Sequence, residues 1–274
     1  VIVQEKAKCG QGRALDEIYL PLHRIIPFSN VEGQGNRTSV FLQGCKLNCL
    51  YCHNPETIAR HSDSAREVSL QYLLDEVKNA MPFIRGVTFS GGEPTIHHRK
   101  LVPLFQAVHE LGLTCYLDTS GFFDFEAMRE LVALTDKFLF DIKGNGLGLQ
   151  QLCFDRQNRA GKVRSNPMAG VRAHIKLDNL ARNMHNLTRL LPMGKIEEVR
   201  LVAINGFFDA HALVQDLGAI LKRYPEVLLK IIRVHAKGAR DADGLTSFIP
   251  STQEIDALAQ QAKACGVAKV VTIY

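Results

Sequence analysis

The chain has 274 residues, 46% of them hydrophobic, enough to bury one large core or two of ordinary size. Its formal charge of +5 is dispersed along the chain, so there is no basic stripe of the kind that marks a nucleic-acid binder. No run approaches the roughly 18 apolar residues that span a bilayer, and the first segment, VIVQEKAKCGQGR, is charged where a signal peptide is apolar. These features predict a soluble, cytoplasmic protein with neither a membrane nor a nucleic-acid partner.

Residues 1–20 carry no clear periodicity and read as an irregular extension to a single domain over 21–274. Apolar, β-branched runs then recur at Arg37–Gln43, Gly86–Ser90, Thr114–Asp118, Lys137–Ile142, Val199–Ile204, Leu228–Val234 and Lys269–Ile273, which predicts buried strands. Between them lie amphipathic helix patterns: Leu70, Leu73, Leu74 and Val77 share one face, as do Leu101, Leu104, Phe105 and Val108, and later Leu177, Leu180, Met184 and Leu187. The last helix has both its stops in the sequence, a Ser251/Glu254 capping-box spacing and Gly266 just past its end. Strand–helix alternation implies a parallel sheet with right-handed crossovers. Six such units and a final strand predict an α/β fold, a partial (β/α)6 TIM-like barrel with an additional C-terminal strand; an open doubly wound sheet is the alternative. The Gly-rich and polar stretch 144–168 predicts a long functional loop.

Three of the seven cysteines crowd into Cys45-x3-Cys49-x2-Cys52, directly after the strand Arg37–Gln43. Three soft ligands in one loop suit iron–sulfur or zinc. Zinc in a structural site takes four ligands, and His53, adjacent to Cys52, is poorly placed to be the fourth. A cubane held by three Cys leaves one iron open to a substrate. Cys115 and Cys265 read as packed apolar residues, while Cys9 and Cys153 have no Cys partner at metal spacing. Other polar groups fall at or just beyond the ends of different predicted strands: Gly91-Gly92-Glu93, Asp118-Thr119, Asp141 with Lys143, and His235 with Lys237. Barrel enzymes build their active sites at that end of the strands.

The three-cysteine spacing, with Tyr51 before the third Cys, resembles the signature of the radical S-adenosylmethionine (SAM) superfamily. Its surroundings, Val31-Glu-Gly-Gln-Gly35, Gln43-Gly-Cys45, Ser90-Gly-Gly-Glu93, Leu117-Asp-Thr-Ser-Gly121, Phe140-Asp-Ile-Lys143, Val199-Arg-Leu and His235, resemble glycyl radical enzyme activases of the pyruvate formate-lyase-activating type. The order of motifs agrees from about residue 24 onward. The resemblance implies one [4Fe-4S] cluster on Cys45, Cys49 and Cys52, with no inserted ferredoxin-like module. It also implies SAM as cosubstrate, a glycyl radical enzyme as partner, and flavodoxin or ferredoxin as electron donor.

SAM needs acceptors for its ammonium, a cation for its carboxylate and a flat wall for adenine. Gly91 and Gly92 would allow a close backbone approach, Glu93 would accept from the ammonium, and Lys143 would pair with the carboxylate. The resemblance further implies a monovalent cation held by Asp118 and Asp141 with the carbonyls of Thr119 and Leu139. Arg200, His235, Ile142 and the stretch Tyr51 to His53 would then lie along the SAM nucleoside. Glu32, between Val31 and Gly33, is expected to hold main-chain amides of a substrate peptide, with Gly33 and Gly35 letting the chains approach. That segment departs from the usual Val-Asp-Gly-Pro-Gly in lengthening the acid and losing the Pro. Two alternatives stay open on the residues alone: a radical SAM enzyme acting on a small molecule such as a pterin or deazapurine precursor, and a non-enzymatic zinc or iron–sulfur protein.

Overall fold

The computed structural model describes residues 14–154, 177–240 and 242–274. Strands β1 (Tyr19–Ser29), β2 (Arg37–Leu42) and β3 (Arg66–Ser69) come first, followed by α1 (Leu70–Ala80), β4 (Gly86–Gly91), α2 (His98–Glu110), β5 (Thr114–Thr119), α3 (Arg129–Leu134) and β6 (Lys137–Ile142). A short helix α4 (Gly146–Leu149) runs into a π-helical turn at Gln150–Phe154. Then come α5 (Leu177–Leu190), β7 (Ile196–Ala203), α6 (Ala210–Leu221), β8 (Leu228–Arg233), α7 (Ala242–Leu245), α8 (Thr252–Ala264) and β9 (Lys269–Ile273).

The strands form one nine-stranded sheet in the order β3-β1-β2-β4-β5-β6-β7-β8-β9. From β2 to β9 every neighbouring pair is parallel, while β1 lies antiparallel to both β2 and β3. Among the described residues no ladder joins β9 back to β3, so the barrel stays open. This is the predicted α/β partial barrel, with an antiparallel pair added at its leading edge. The sequence hides that pair: β1 contains Pro21 and Pro27, which interrupt a strand pattern, and β3 has only four residues. The described end of the expected extension, from residue 14, joins the fold, since Leu15 and Ile18 pack on the core and Leu20 is fully buried in β1.

Alternation along each strand sends one set of side chains under the helices and the other to the opposite face. Val40, Leu42, Val87, Phe89, Cys115, Leu117, Phe138, Phe140, Val199 and Leu201 join the main core with the helix stripes. The α2 stripe Leu101, Leu104, Phe105 and Val108 is wholly buried, each side chain contributing about 1.5–3 kcal/mol by leaving water. Ser69 caps α1 by accepting from the Tyr72 amide, and Ser251 with Glu254 forms the predicted capping box on α8. On the opposite strand face lie Ser39, Thr88, Ser90, Asp118, Asp141, Glu198, Arg200 and Lys230, so that face is polar and charged. A second, smaller apolar cluster covers the C-terminal ends of the strands. It joins Leu47, Cys49, Leu50 and Tyr51 to Leu149, Leu152, Cys153, Ile204, Phe207, Val234 and Leu245. The first part of the predicted 144–168 loop is thus helical and packs on the cysteine loop; 155–168 lies outside the described residues.

Candidate functional site

The cysteine loop begins where β2 ends. Fully buried Gln43 donates from Nε2 to the carbonyls of Glu56 (2.8 Å) and Ala59 (2.7 Å), and the His97 ring donates to the Gln43 carbonyl at 2.9 Å. The chain then turns at Gly44, whose φ of 101° favours glycine, and ties back through Gly44 N–H to Thr57 O and Cys45 N–H to Ile58 O. On the far side, the Asn48 and Leu50 amides donate to the carbonyls of Cys153 (2.8 Å) and Leu152 (3.0 Å).

Cys49 is buried, Cys45 and Cys52 are half-buried, and all three are free thiols. Burial pushes the Cys45 thiol well up and the Cys52 thiol up to about 11, each reinforced by the neighbouring cysteines. Cys49 moves the other way, chiefly through a hydrogen bond from the Cys153 thiol. Among the described residues no group of three or more His, Cys, Asp or Glu side chains is arranged to hold a metal ion. Thiols that feel one another without closing on one ion position suit a cluster that takes one thiolate per iron better than they suit zinc.

Beside this loop, Gly91 and Gly92 are fixed by close packing. A Cβ on Gly91 would lie 2.3 Å from the Leu42 carbonyl oxygen, and one on Gly92 would lie 2.2 Å from that of Gly44. The glycines therefore let the β4 loop lie against the cysteine loop, with Gly92 N–H bonded to Leu42 O and Glu93 N–H to Gly44 O. Glu93, 3% exposed, accepts from five donors: the amide and hydroxyl of Thr95, the hydroxyl of Thr119, and the amide and hydroxyl of Ser120. A carboxylate has about four lone-pair sites, so this one is fully engaged inside the chain. In the chain it clamps the end of β5 to the β4 loop.

Charges run across the inner face. Arg200 lies 3.1 Å from Asp118 and 2.5 Å from Glu198, which also holds Lys230 at 2.6 Å; Ser90 donates to Asp118 at 2.9 Å. Burial pushes the Asp118 carboxyl up to about 6, against the pull of Arg200. Burial likewise works against the Arg200 charge, but Asp118, Asp141 and Glu198 outweigh it and raise its pKa. Lys143 pairs with Asp141 at 2.7 Å and sits 5.7 Å from the centre of the Tyr51 ring; burial opposes its charge, but Asp141 together with Tyr51, Cys49 and Cys153 outweighs it and raises its pKa. The rings of His53 and His235 stack at 4.1 Å, joining the cysteine loop to the end of β8. Leu139 is fully buried, and the Ile142 side chain belongs to the helix-covered core, which leaves only its main chain for the site.

Glu32, Gly33 and Gly35 belong instead to the loop entering β2, at the N-terminal end of the parallel strands. Gly33 lies against the Tyr116 ring, and Gly35 against Arg85. The Glu32 carboxylate nevertheless turns toward the inner face, where its Oε2 accepts from Ser29 and, at 2.9 Å, from Ser39. Ser39 pairs in register with Thr88, two residues before Ser90, which puts Glu32 roughly 7 Å below the Ser90–Asp118 pair.

Several site residues escape the sequence reading. Asn183 of α5 donates to the carbonyls of Ser120 and Asp141, and Asn186 to those of Gly121 and Phe123, fixing the ends of β5 and β6. Glu198 and Lys230 were legible only as alternate positions: Glu198 shares a strand face with Arg200, and Lys230 pairs with Arg200 in register. Cys153 meets Cys49 across about a hundred residues, with no local signal.

An open parallel barrel with a three-cysteine loop after its first parallel strand, flanked by a Gly-Gly-Glu turn, defines the radical SAM class. A family model described as a 4Fe-4S single cluster domain matches residues 31–144. The chain is 63% identical over 260 residues, 95% of its length and 99% of the relative's, to a protein of Haemophilus influenzae provisionally named a glycyl-radical enzyme activating enzyme. It is 39% identical to the pyruvate formate-lyase-activating enzyme of Staphylococcus aureus over 132 residues, 44% of this chain and 52% of that one. QueE from Escherichia coli shares the fold, with a TM-score of 0.54 at 16% identity and 93% of each chain covered. The chain belongs to the glycyl-radical enzyme activating enzymes, oxidoreductases whose cofactors are a [4Fe-4S] cluster and SAM. Among the described residues no helix is long and apolar enough to cross a membrane.

Proposed function

We propose that this chain cleaves SAM reductively and takes a hydrogen atom from a glycine in a separate glycyl radical enzyme, with flavodoxin or ferredoxin as electron donor. The observation that carries this reading is the gathering of three cysteine thiols, one buried and two half-buried, with the Lys143–Asp141 pair and the His53–His235 stack at one end of the strands. A cluster held there would supply the one-electron reduction of the SAM sulfonium on which hydrogen abstraction depends.

The chain's own residues bind, orient and exclude water. Cys45, Cys49 and Cys52 would hold the cluster. Lys143, charged and half-buried, would meet the SAM carboxylate, while Asp141 keeps the ammonium of that lysine in place. The Gly91–Gly92 main chain would accept from the SAM amino group, since Glu93 is engaged within the chain. His53, His235 and Tyr51 offer flat surfaces to the nucleoside. A monovalent cation held by Asp118, Asp141 and the Thr119 and Leu139 carbonyls would have to share those carboxylates with Arg200 and Lys143. The small apolar cluster over the cysteine loop keeps water from the reacting groups. Glu32, from below, takes main-chain amides of the incoming peptide.

The test uses the full chain, reconstituted anaerobically and mixed with SAM, reductant and a glycyl radical enzyme from the same cell. Deoxyadenosine release together with the doublet of a glycyl radical in the paramagnetic resonance spectrum is the expected result. Glu32→Gln should release deoxyadenosine yet install much less radical. Deoxyadenosine release with no radical on any such partner would overturn the activase assignment.

A further inference from the structure

Glu198 stands on the inner face of β7 with its side chain 4% exposed, and each of its carboxylate oxygens is taken by a different cation. Oε1 accepts from Arg200 Nε at 2.5 Å, on the same strand, and Oε2 meets the Lys230 ammonium at 2.6 Å, from β8. An arginine and a carboxylate left to themselves close a two-pronged fork, in which Nε and the neighbouring Nη2 bond the two oxygens together. Here the second prong stays open, because Lys230 holds the oxygen that would close it. The other end of the guanidinium is fixed as well, Nη1 lying 3.1 Å from Asp118. Among the described residues Nη2 makes no hydrogen bond, while the group that carries it is held at both flanks.

Strand β7 lies between β6 and β8 in the sheet. Lys143 follows the end of β6 and His235 the end of β8, so a SAM molecule reaching from the lysine to the His53–His235 stack crosses the end of β7. Arg200, in register with Asp141 on one side and Lys230 on the other, is the charged inward residue of that strand nearest its end. We infer that Lys230 is a positioning residue for SAM: by occupying Glu198 Oε2 it keeps Arg200 from closing its fork, and so reserves Nη2 as a donor to an acceptor of the nucleoside. The inference rests on the placement of SAM proposed above. Its effect is opposite in sign to that of simple charge. SAM carries two positive groups and one negative, so a nearby lysine repels it, and removing that lysine would by electrostatics alone tighten binding. Removing it as a positioning group loosens binding, since Glu198 then turns both oxygens to Arg200 and withdraws the free nitrogen.

The experiment is SAM titration calorimetry on the anaerobically reconstituted full chain, with iron content measured alongside, for the parent, Lys230→Met, Lys230→Arg, Glu198→Ala and the double variant of Lys230→Met with Glu198→Ala. Lys230→Met should hold the parent's iron and bind SAM about tenfold more weakly, the loss of one hydrogen bond from a charged donor. Lys230→Arg, which can still occupy Oε2, should recover most of the parent's affinity. In the Glu198→Ala background there is no fork to close, so the same lysine substitution should not weaken binding further. If that background does not take up iron, the Met and Arg variants decide the matter between them. A Lys230→Met variant that binds SAM as tightly as the parent, or more tightly, would overturn the inference. So would an equal loss in the Glu198→Ala background, which would make Lys230 a direct contact, and so would loss of iron in Lys230→Met, which would leave it a structural part only. A parent that holds its iron but binds no SAM would instead remove the functional reading, a result that does not depend on the variants.

Discussion

Glu93 separates two accounts of the Gly-Gly-Glu turn, and Glu93→Gln decides between them. In the folded chain its carboxylate receives bonds at 3.3 and 2.7 Å from Thr95, 2.8 Å from Thr119, and 2.9 and 2.5 Å from Ser120, two of the five from main-chain amides. Glutamine keeps one acceptor oxygen and puts an NH2 group in the place of the other. Whichever way the amide is turned, one buried main-chain N–H, of Thr95 or of Ser120, then faces a donor. Leaving a buried donor unsatisfied costs about 1–3 kcal/mol, and the remaining bonds weaken with loss of the charge, so a total of about 3–5 kcal/mol is expected. Ser120→Ala removes one hydroxyl and leaves the amide bond intact, for about 1 kcal/mol. Urea unfolding of the reduced, cluster-free protein reads both values, and SAM titration calorimetry on the reconstituted protein supplies the second axis. A Glu93→Gln variant as stable as the parent but unable to bind SAM would refute the clamp and return Glu93 to the role of a ligand for the SAM ammonium.

Replacing Cys45, Cys49 or Cys52 by Ala should abolish iron binding, whereas Cys265→Ala, at a thiol packed against Gly218, should leave it unchanged; iron analysis after reconstitution checks both. Lys143→Ala should weaken SAM binding by about 1–3 kcal/mol in anaerobic calorimetry while the iron content stays constant, since it removes the carboxylate partner and leaves Asp141 without its cation. Asp118 titrates near 6 in the fold because burial raises it, and near 3.9 when unfolded. The native state therefore binds the extra proton between those values, and the contribution of Asp118 to stability is fullest below about 4 and is lost as the pH rises through 6. Relative to Asp118→Asn, the parent should gain about 1.4 kcal/mol in urea unfolding between pH 7.5 and pH 5, and a difference independent of pH would show that Asp118 is not shifted.

Much of the parallel sheet is written in local pattern. Lys137–Ile142 and Lys269–Ile273 are strands over the predicted residues, and Ser251 and Gly266 bound the last helix as expected, because β-branched runs and caps act over a few neighbours. The antiparallel β1 is not legible, since Pro21 and Pro27 break its pattern and its partner β3 contributes only four residues. The cysteine loop is legible because its ligands are close in sequence. The bonds that fix it are not: Asn183 reaches the β5 and β6 carbonyls from a helix some sixty and forty residues away. Glu93 was visible as a site residue, but its task was not, because nothing local to it announces Thr119 and Ser120 as its donors.

The main core draws on the helix-covered face of the sheet, whereas the small cluster over the strand ends is built partly from the cysteine loop itself, through Leu47, Cys49, Leu50 and Tyr51. Folding and metallation therefore have separate seats. A newly made chain can complete its sheet before any iron reaches it, and the late step, insertion of the cofactor, is confined to a cap of a dozen or so side chains at one end.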